Sequence, residues 1–138
     1  MNVLIMGCGR VGARVATTLD EAGHTVTVMD LNPSSFRRLP PSFKGTQAVG
    51  NGMDGPALER AGIKEADAFI ALTQGDNRNY FASQLAREVY GVKQVLCRTY
   101  DPLRAEIFSG LGLQIFSPTA LGASVIVSML LGDQAAKG

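Results

Sequence analysis

The run Met6-Gly7-Cys8-Gly9-Arg10-Val11-Gly12 follows the apolar stretch Val3-Leu4-Ile5 and opens a helical pattern, so three glycines stand where a strand turns into a helix. Few architectures use that arrangement. The first glycine allows a tight turn, the second lets a pyrophosphate approach the backbone, and the third lets the helix pack closely on its strand. Free amides at the helix N-terminus then face the anion. An ordinary glycine-rich turn shares the spacing but not the context of strand before, helix after and acid beyond. That acid is Asp30, at the end of His24-Thr25-Val26-Thr27-Val28-Met29-Asp30. It follows the glycines at close to the ~20-residue spacing expected of a carboxylate that accepts hydrogen bonds from ribose hydroxyls. A 2′-phosphate would be repelled there, so the pattern favours NAD(H), ATP, ADP or AMP over NADP(H). Arg37 and Arg38 read as solvated helix charges.

Strand-like and helix-like segments alternate along the chain, which predicts an α/β fold with helices on both faces of a parallel sheet. Strands are expected over residues 2–6, 24–30, 46–49, 66–72, 93–99 and 113–116. Helices are expected over 10–22, 34–39, 55–61, 77–90, 102–111 and 119–131. Gly23, Gly62, Gly91 and Gly112 stand just past helical segments, Asp54 and Asp76 suit N-caps, and Pro56, Pro102 and Pro118 fall near helix starts. Six strands make a Rossmann-like, doubly wound sheet in the order 3-2-1-4-5-6. Ligands of such sheets sit outside the carboxyl ends of the strands, at the reversal between the first and fourth. Five loops therefore matter: 7–12, 30–32, 50–52, 73–76 and 98–101.

The chain has 138 residues, one domain in size, and 46% are hydrophobic, enough to fill a core. A net charge of +1 without long basic runs gives no electrostatic reason to expect nucleic acid. The two cysteines, Cys8 and Cys97, form no metal or redox cluster and read as small core-facing residues of a protein in a reducing cytosol. No secretory signal is read at the N-terminus. The apolar stretch from Ala120 to Leu131 is broken by Gly122 and falls short of the ~20 residues that span a bilayer.

The expected contact residues are Gly7, Cys8, Gly9, Arg10, Val11 and Gly12 in the glycine loop, with Asp30 and Leu31 after the second strand. Asn51 and Gly52 follow the third strand, Leu72, Thr73 and Asn79 surround the end of the fourth, and Arg98 ends the fifth. Arg10 stands where a guanidinium closes over phosphate; the alternative is a pairing with Asp30. Asn51 reads equally as a turn residue or as a partner for adenine or ribose. Capping is the stronger reading for Thr73 and Asn77, but not for Asn79. Arg98 is balanced between a phosphate or partner contact and a surface ion pair. His24, at the far end of the second strand, is a poor catalytic candidate. No catalytic constellation and no metal site emerge. A nicotinamide dehydrogenase would need a second, substrate-binding domain, for which the six-strand unit leaves no room.

These residues resemble the Trk-type potassium-uptake regulators, also called RCK or KTN domains, in their TrkA N-terminal form. The resemblance covers nearly the whole chain. It rests on Gly7-Cys8-Gly9-Arg10-Val11-Gly12, Val28-Met29-Asp30, Gly50-Asn51-Gly52, and Ala68-Phe69-Ile70-Ala71-Leu72-Thr73 followed by Asp76 and Asn79. The passages Gly91-Val92-Lys93-Gln94-Val95-Leu96-Cys97-Arg98 and Leu111-Gly112-Leu113-Gln114-Ile115-Phe116-Ser117-Pro118 add to it. The resemblance implies a non-enzymatic, cytoplasmic subunit that binds NAD(H), ATP, ADP or AMP and gates a membrane potassium transporter or channel, lying at the inner face of the membrane through that partner. It implies that Gly7, Gly9, Arg10 and Gly12 hold phosphates, that Asp30 holds ribose, and that Asn51 and Gly52 lie near the adenosine. It further implies a division into a nucleotide-binding domain, 1–117, and a crossover segment, 118–138, whose apolar helix packs on a second subunit, with growth into a ring left open. Family members usually continue into a smaller C-terminal domain, and often carry Gly-Asp where this chain has Gly50-Asn51. Acidic residues that bind divalent ions in some channel-attached relatives are not evident around 98–101. The competing reading is the nicotinamide-binding part of an NAD-dependent oxidoreductase.

Overall fold

A computed structural model describes residues 1–132. Six strands form one parallel sheet in the order β3-β2-β1-β4-β5-β6: β1 (Asn2–Met6), β2 (Thr25–Asp30), β3 (Thr46–Val49), β4 (Ala68–Ala71), β5 (Gln94–Arg98) and β6 (Gln114–Phe116). The expected order is the observed one. The helices are α1 (Arg10–Glu21), α2 (Gly55–Arg60), α3 (Asp76–Gln84), α4 (Pro102–Gly110) and α5 (Pro118–Leu131). Residues 133–138 of the expected crossover segment lie outside the described residues.

The central strand β1 is apolar at successive positions because both of its faces are covered. Leu4 and Met6 point into a core with Met29, Leu58, Ile63, Phe69 and Ala82. Val3 and Ile5 point into the opposite core, under α1, with Ala13, Ala16, Val26, Val28 and Leu72. Burying each large aliphatic side chain contributes about 1.5–3 kcal/mol, so these two layers carry most of the fold. A smaller cluster under α4 joins Cys97, Phe108 and Leu113, with Tyr80 stacked on Phe108 at 4.3 Å.

Three expectations are corrected. Residues 34–39 do not form an α-helix: Pro33–Arg38 is a 3-10 segment, started by Asn32, whose Oδ1 accepts the Ser34 amide at 3.1 Å. The single helix over 77–90 divides, because Leu85–Val89 adopts π geometry after α3. There the Tyr90 amide reaches the Leu85 carbonyl at 3.1 Å, and the Arg87 Nη1 is swung onto the Gly112 carbonyl at 2.5 Å. Asp76 is not an N-cap; Gly75 holds that position. The Asp76 carboxylate instead accepts the amides of Tyr100 at 2.8 Å and Asp101 at 3.0 Å, tying the β4–α3 loop to the β5–α4 loop.

The helix α5 stands apart from both cores. None of its residues is buried, and Leu121, Val125, Ile126, Met129, Leu130 and Leu131 are all exposed. No described helix is long and apolar enough to cross a membrane.

Candidate functional site

Strands β1 and β4 are neighbours, and the chain leaves them in opposite directions across the sheet, which opens a crevice at their carboxyl ends. The crevice is a cleft of about 650 Å³ that runs from the β2–β3 edge across the glycine loop to the ends of β4 and β5.

Each glycine of the loop has its own reason. Gly7 has φ +110°, and a Cβ there would lie 2.9 Å from the backbone of Leu72 and Thr73. A Cβ on Gly12 would lie 1.9 Å from the Gly7 carbonyl oxygen, so only glycine lets α1 sit this close to β1. Gly9 differs. Its φ of −82° suits any residue, and a Cβ there would meet nothing within 4 Å. Nothing in the fold requires glycine at that position. The side chain is missing where the loop faces open cleft.

Helix α1 begins at this loop without a capping side chain and without an acid in its first turn. By contrast α2, α4 and α5 are capped by Asp54, Asp101 and Ser117. The free amides of the first turn of α1 and the positive end of its dipole are therefore available to an anion in the cleft.

Asp30 fixes the loop from below. Its Oδ2 accepts the Cys8 amide at 2.8 Å and its Oδ1 accepts the Asn32 amide at 2.9 Å. Each oxygen keeps lone-pair capacity for a further donor, such as a ribose hydroxyl. Arg10 lines the cleft and forms no ion pair with Asp30. Arg38, expected to be a solvated helix charge, is exposed and also lines the cleft, donating from Nη1 to the Cys8 carbonyl at 3.4 Å. Arg38 is the last residue of the 3-10 segment.

At the far side, Asn79 is fully buried with every hydrogen-bonding group engaged. Its Oδ1 accepts the Thr73 amide at 3.0 Å and hydroxyl at 2.6 Å, and its Nδ2 donates to the carbonyls of Thr73 and Arg98, both at 2.9 Å. It holds Thr73 in the cleft wall without lining the cleft itself. Arg98 is not a surface ion pair: it is 6% exposed and lies over the Tyr100 ring, with Cζ 4.9 Å from the centroid. Burial pulls its guanidinium below the ordinary range, against opposing influences from Tyr100 and Asp76. Asn51 lines the cleft, but its Oδ1 accepts the Met53 amide at 3.0 Å, the bond of a turn residue. A Cβ on Gly52 would meet the Met6 Sδ at 1.9 Å, so that glycine serves close packing.

Of the sequence candidates, Gly7, Cys8, Gly9, Arg10, Val11, Asp30, Leu31, Asn51, Gly52, Leu72, Thr73 and Arg98 line one cleft, whereas Gly12 and Asn79 support it from behind. Ser35, Arg38, Met53, Gln74, Arg78 and Tyr100 also line it. Gln74 and Tyr100 lie in loops the sheet topology singles out; Arg78, a turn into α3, left no signal. Cys8 and Cys97 are fully buried, and burial pushes both thiols up. No group of three or more potential metal-ligating His, Cys, Asp or Glu side chains occurs among the described residues.

Fold and cleft together define a Rossmann-like module with a crevice at the carboxyl ends of its central strands. The TrkA-N domain model matches residues 3–118, and the chain belongs to that family. It is 47% identical over 131 residues to the Trk system potassium uptake protein TrkA of Streptomyces coelicolor, covering 95% of this chain and 59% of that protein. A TrkA homolog of Pyrococcus abyssi is 37% identical over 108 residues, 78% of this chain and 48% of the homolog. The chain thus spans roughly half to three-fifths of these relatives. Among solved structures, the AMP-bound C-terminal domain of Kef from Shewanella denitrificans superposes with a TM-score of 0.81 at 23% identity, covering 99% of this chain and 87% of that one. The TrkA-N domain of the Escherichia coli inner membrane protein ybaL gives 0.83 at 16% identity, over 94% and 96%. The GsuK channel bound to NAD gives 0.80 at 23% identity, over 98% of this chain and 24% of the channel. At these identities the likeness is one of fold.

Proposed function

We propose that this chain is a nucleotide-sensing regulator of potassium transport. It binds NAD(H), ATP, ADP or AMP in the cleft and acts without catalysing a reaction, from the cytoplasmic side of a membrane potassium transporter or channel. The observation that carries this reading is Gly9: glycine at a position that needs neither its φ nor its size, beside an uncapped helix N-terminus. A diphosphate seated there explains both features. Asp30 would hold the ribose, and Arg10 would close over the phosphates. The relatives named as potassium uptake proteins support the transport role, and neighbours solved with AMP, NAD and ADP support the ligand class.

In this reading two chains pair through α5, and ligands that favour different arrangements of the pair pass that difference to the transporter. Such a switch requires unequal affinity for the two states. A thermal-shift panel of NAD, NADH, NADP, ATP, ADP and AMP tests the ligand class, because a ligand at ~100 times its Kd adds about 2.7 kcal/mol of stability. Stabilisation by both ATP and NADH supports the regulator. Stabilisation by dinucleotides alone favours an oxidoreductase fragment, and no stabilisation by any of them refutes nucleotide sensing.

A further inference from the structure

The cations of this chain are unevenly spread over its surface. Residues 7–19, the glycine loop and most of α1, contain Arg10 and Arg14 and no acid, and residues 31–43 contain Arg37 and Arg38 and no acid. The two segments share one face of the sheet. Ala13 and Ala16 of the first and Phe36 and Leu39 of the second are buried in the same core. All four arginines are exposed, and none of them forms an ion pair among the described residues. The one carboxylate at the end of β2, Asp30, has both oxygens on the amides of Cys8 and Asn32. The acids of α1, Asp20 and Glu21, stand in its last turn.

Such an arrangement is unfavourable without an anion. Arg10 occupies the first turn of α1, at the positive end of the helix dipole. Arg14 follows at the i+4 spacing, where like charges repel. Beside them α1 bears a shallow depression of about 370 Å³, lined by Arg10, Val11, Arg14 and Val15. Two cations and two apolar side chains thus border one hollow, and Val11 is 41% exposed. An anion with an apolar body satisfies both halves of that lining. Nucleic acid suits it less well, because the aromatic residues of the two segments, Phe36 and Phe43, pack into the core and offer no ring to a base.

We propose that this side of the molecule docks on an anionic phospholipid surface. Arg14, Arg37 and Arg38 take headgroup phosphates, which their forked donors match. The depression on α1 seats one headgroup, with its glycerol against Val11 and Val15. Clusters of about four to eight cations hold a protein at an anionic leaflet, and this face supplies four. The docking is independent of what the cleft holds, since Arg14 and Arg37 lie outside the cleft wall.

Co-sedimentation of the intact chain with vesicles of mixed phosphatidylglycerol and phosphatidylcholine tests the docking face. Binding is expected to these vesicles and not to phosphatidylcholine alone, and it should weaken as salt screens the charges. The double change Arg14→Gln, Arg37→Gln should lower partitioning by about tenfold or more, at roughly fivefold for each cation. The exposed pair Arg60→Gln, Lys93→Gln removes the same charge from other elements and should bind as the parent does. Equal loss in the two variants would overturn the docking face by reducing it to net charge. Absence of binding to the anionic vesicles would overturn it outright, as would duplex DNA held as tightly as the vesicles at the same salt. Nucleotide affinity should be unchanged in Arg14→Gln, Arg37→Gln, and a matching loss there would overturn the proposal by tying both arginines to the cleft. A parent chain that binds anionic vesicles but no nucleotide would leave the docking face standing and remove only the function proposed above.

Discussion

The Asp30 carboxylate accepts the backbone amide of Cys8 at 2.8 Å, so the acid that ends β2 and the glycine loop that follows β1 form one mechanical unit. The residue expected to read a sugar also shapes the loop expected to hold its phosphates. Asp30→Ala should therefore do two things. Leaving the Cys8 amide without its acceptor should cost about 1–3 kcal/mol of stability, measured by denaturant unfolding. Binding of every adenine nucleotide should fall below detection in calorimetry, even at temperatures where the variant is fully folded. Retained affinity would show that ribose is not held at Asp30.

Gly9 and Gly12 separate fold from function within one motif. Gly12→Ala drives a methyl group into the Gly7 carbonyl, 1.9 Å away, and should lower the melting temperature sharply. Gly9→Ala meets nothing and has a permissive backbone, so its stability should equal or exceed the parent by about 0.5 kcal/mol. Its nucleotide affinity should nevertheless drop, since the methyl group occupies the place proposed for the diphosphate. Undiminished binding by Gly9→Ala would sink the proposed phosphate position.

The parts of this molecule that sequence makes legible are those set by local chemistry and by the sheet's topology. Alternation of apolar runs with glycine and proline punctuation yields the strand order, and that order places the ligand edge before any side chain is considered. Contacts between residues far apart in sequence are illegible by the same means. Asp76 looks like a helix cap because Asp at a helix start usually is one, yet its carboxylate reaches the amides of Tyr100 and Asp101. Arg38 reads as a surface charge and is exposed, but nothing nearby in sequence reveals its bond to the Cys8 carbonyl. The π turn at Leu85–Val89 has the composition of a helix, and its Tyr90-to-Leu85 backbone bond and the Arg87 contact with Gly112 leave no mark in the sequence.

Asn79, itself fully buried, bonds the half-buried Thr73 three times and the Arg98 carbonyl once. Asn79→Ala should cost about 3 kcal/mol, because it strands several buried groups at once. Asn79→Asp should be worse, since it sets a carboxylate against the carbonyls of Thr73 and Arg98. Chemical denaturation ranks the three proteins. A loss below that of an ordinary surface substitution would mean that the β4 and β5 ends hold together without this side chain.

Both thiols are raised from their ordinary range, chiefly by burial, with Asp30 adding to the effect at Cys8. A folded-state pKa above the unfolded value means that the folded chain keeps its proton longer. The corresponding stability is fully present below the ordinary thiol pKa and is lost as pH rises through the folded values. Unfolding free energy should therefore be insensitive to these groups at neutral pH and decline above about pH 9. The decline should shrink in a Cys8→Ala, Cys97→Ala protein. Thiol-specific reagents should modify both cysteines only slowly in the native state, and equal rates in native and unfolded protein would contradict their burial.

The last helix carries the clearest demand for a partner. Ile126 and Leu130 lie one turn apart on α5 and are 60% and 78% exposed, in a helix with no buried residue and no acid or base along its length. Its N-terminus is nevertheless anchored to the ligand edge, where the Thr119 hydroxyl donates to the Tyr100 carbonyl at 3.3 Å and Tyr100 lines the cleft. Pairing of two chains through α5 would bury that apolar surface and join it to the nucleotide site through one residue. Light scattering should then find the parent chain dimeric and an Ile126→Asp, Leu130→Asp variant monomeric, with nucleotide affinity little changed because neither residue lines the cleft. Thr119→Val should leave the dimer intact but weaken the dependence of its dissociation constant on bound nucleotide. A parent chain that stays monomeric at high concentration would assign the α5 surface to a different partner.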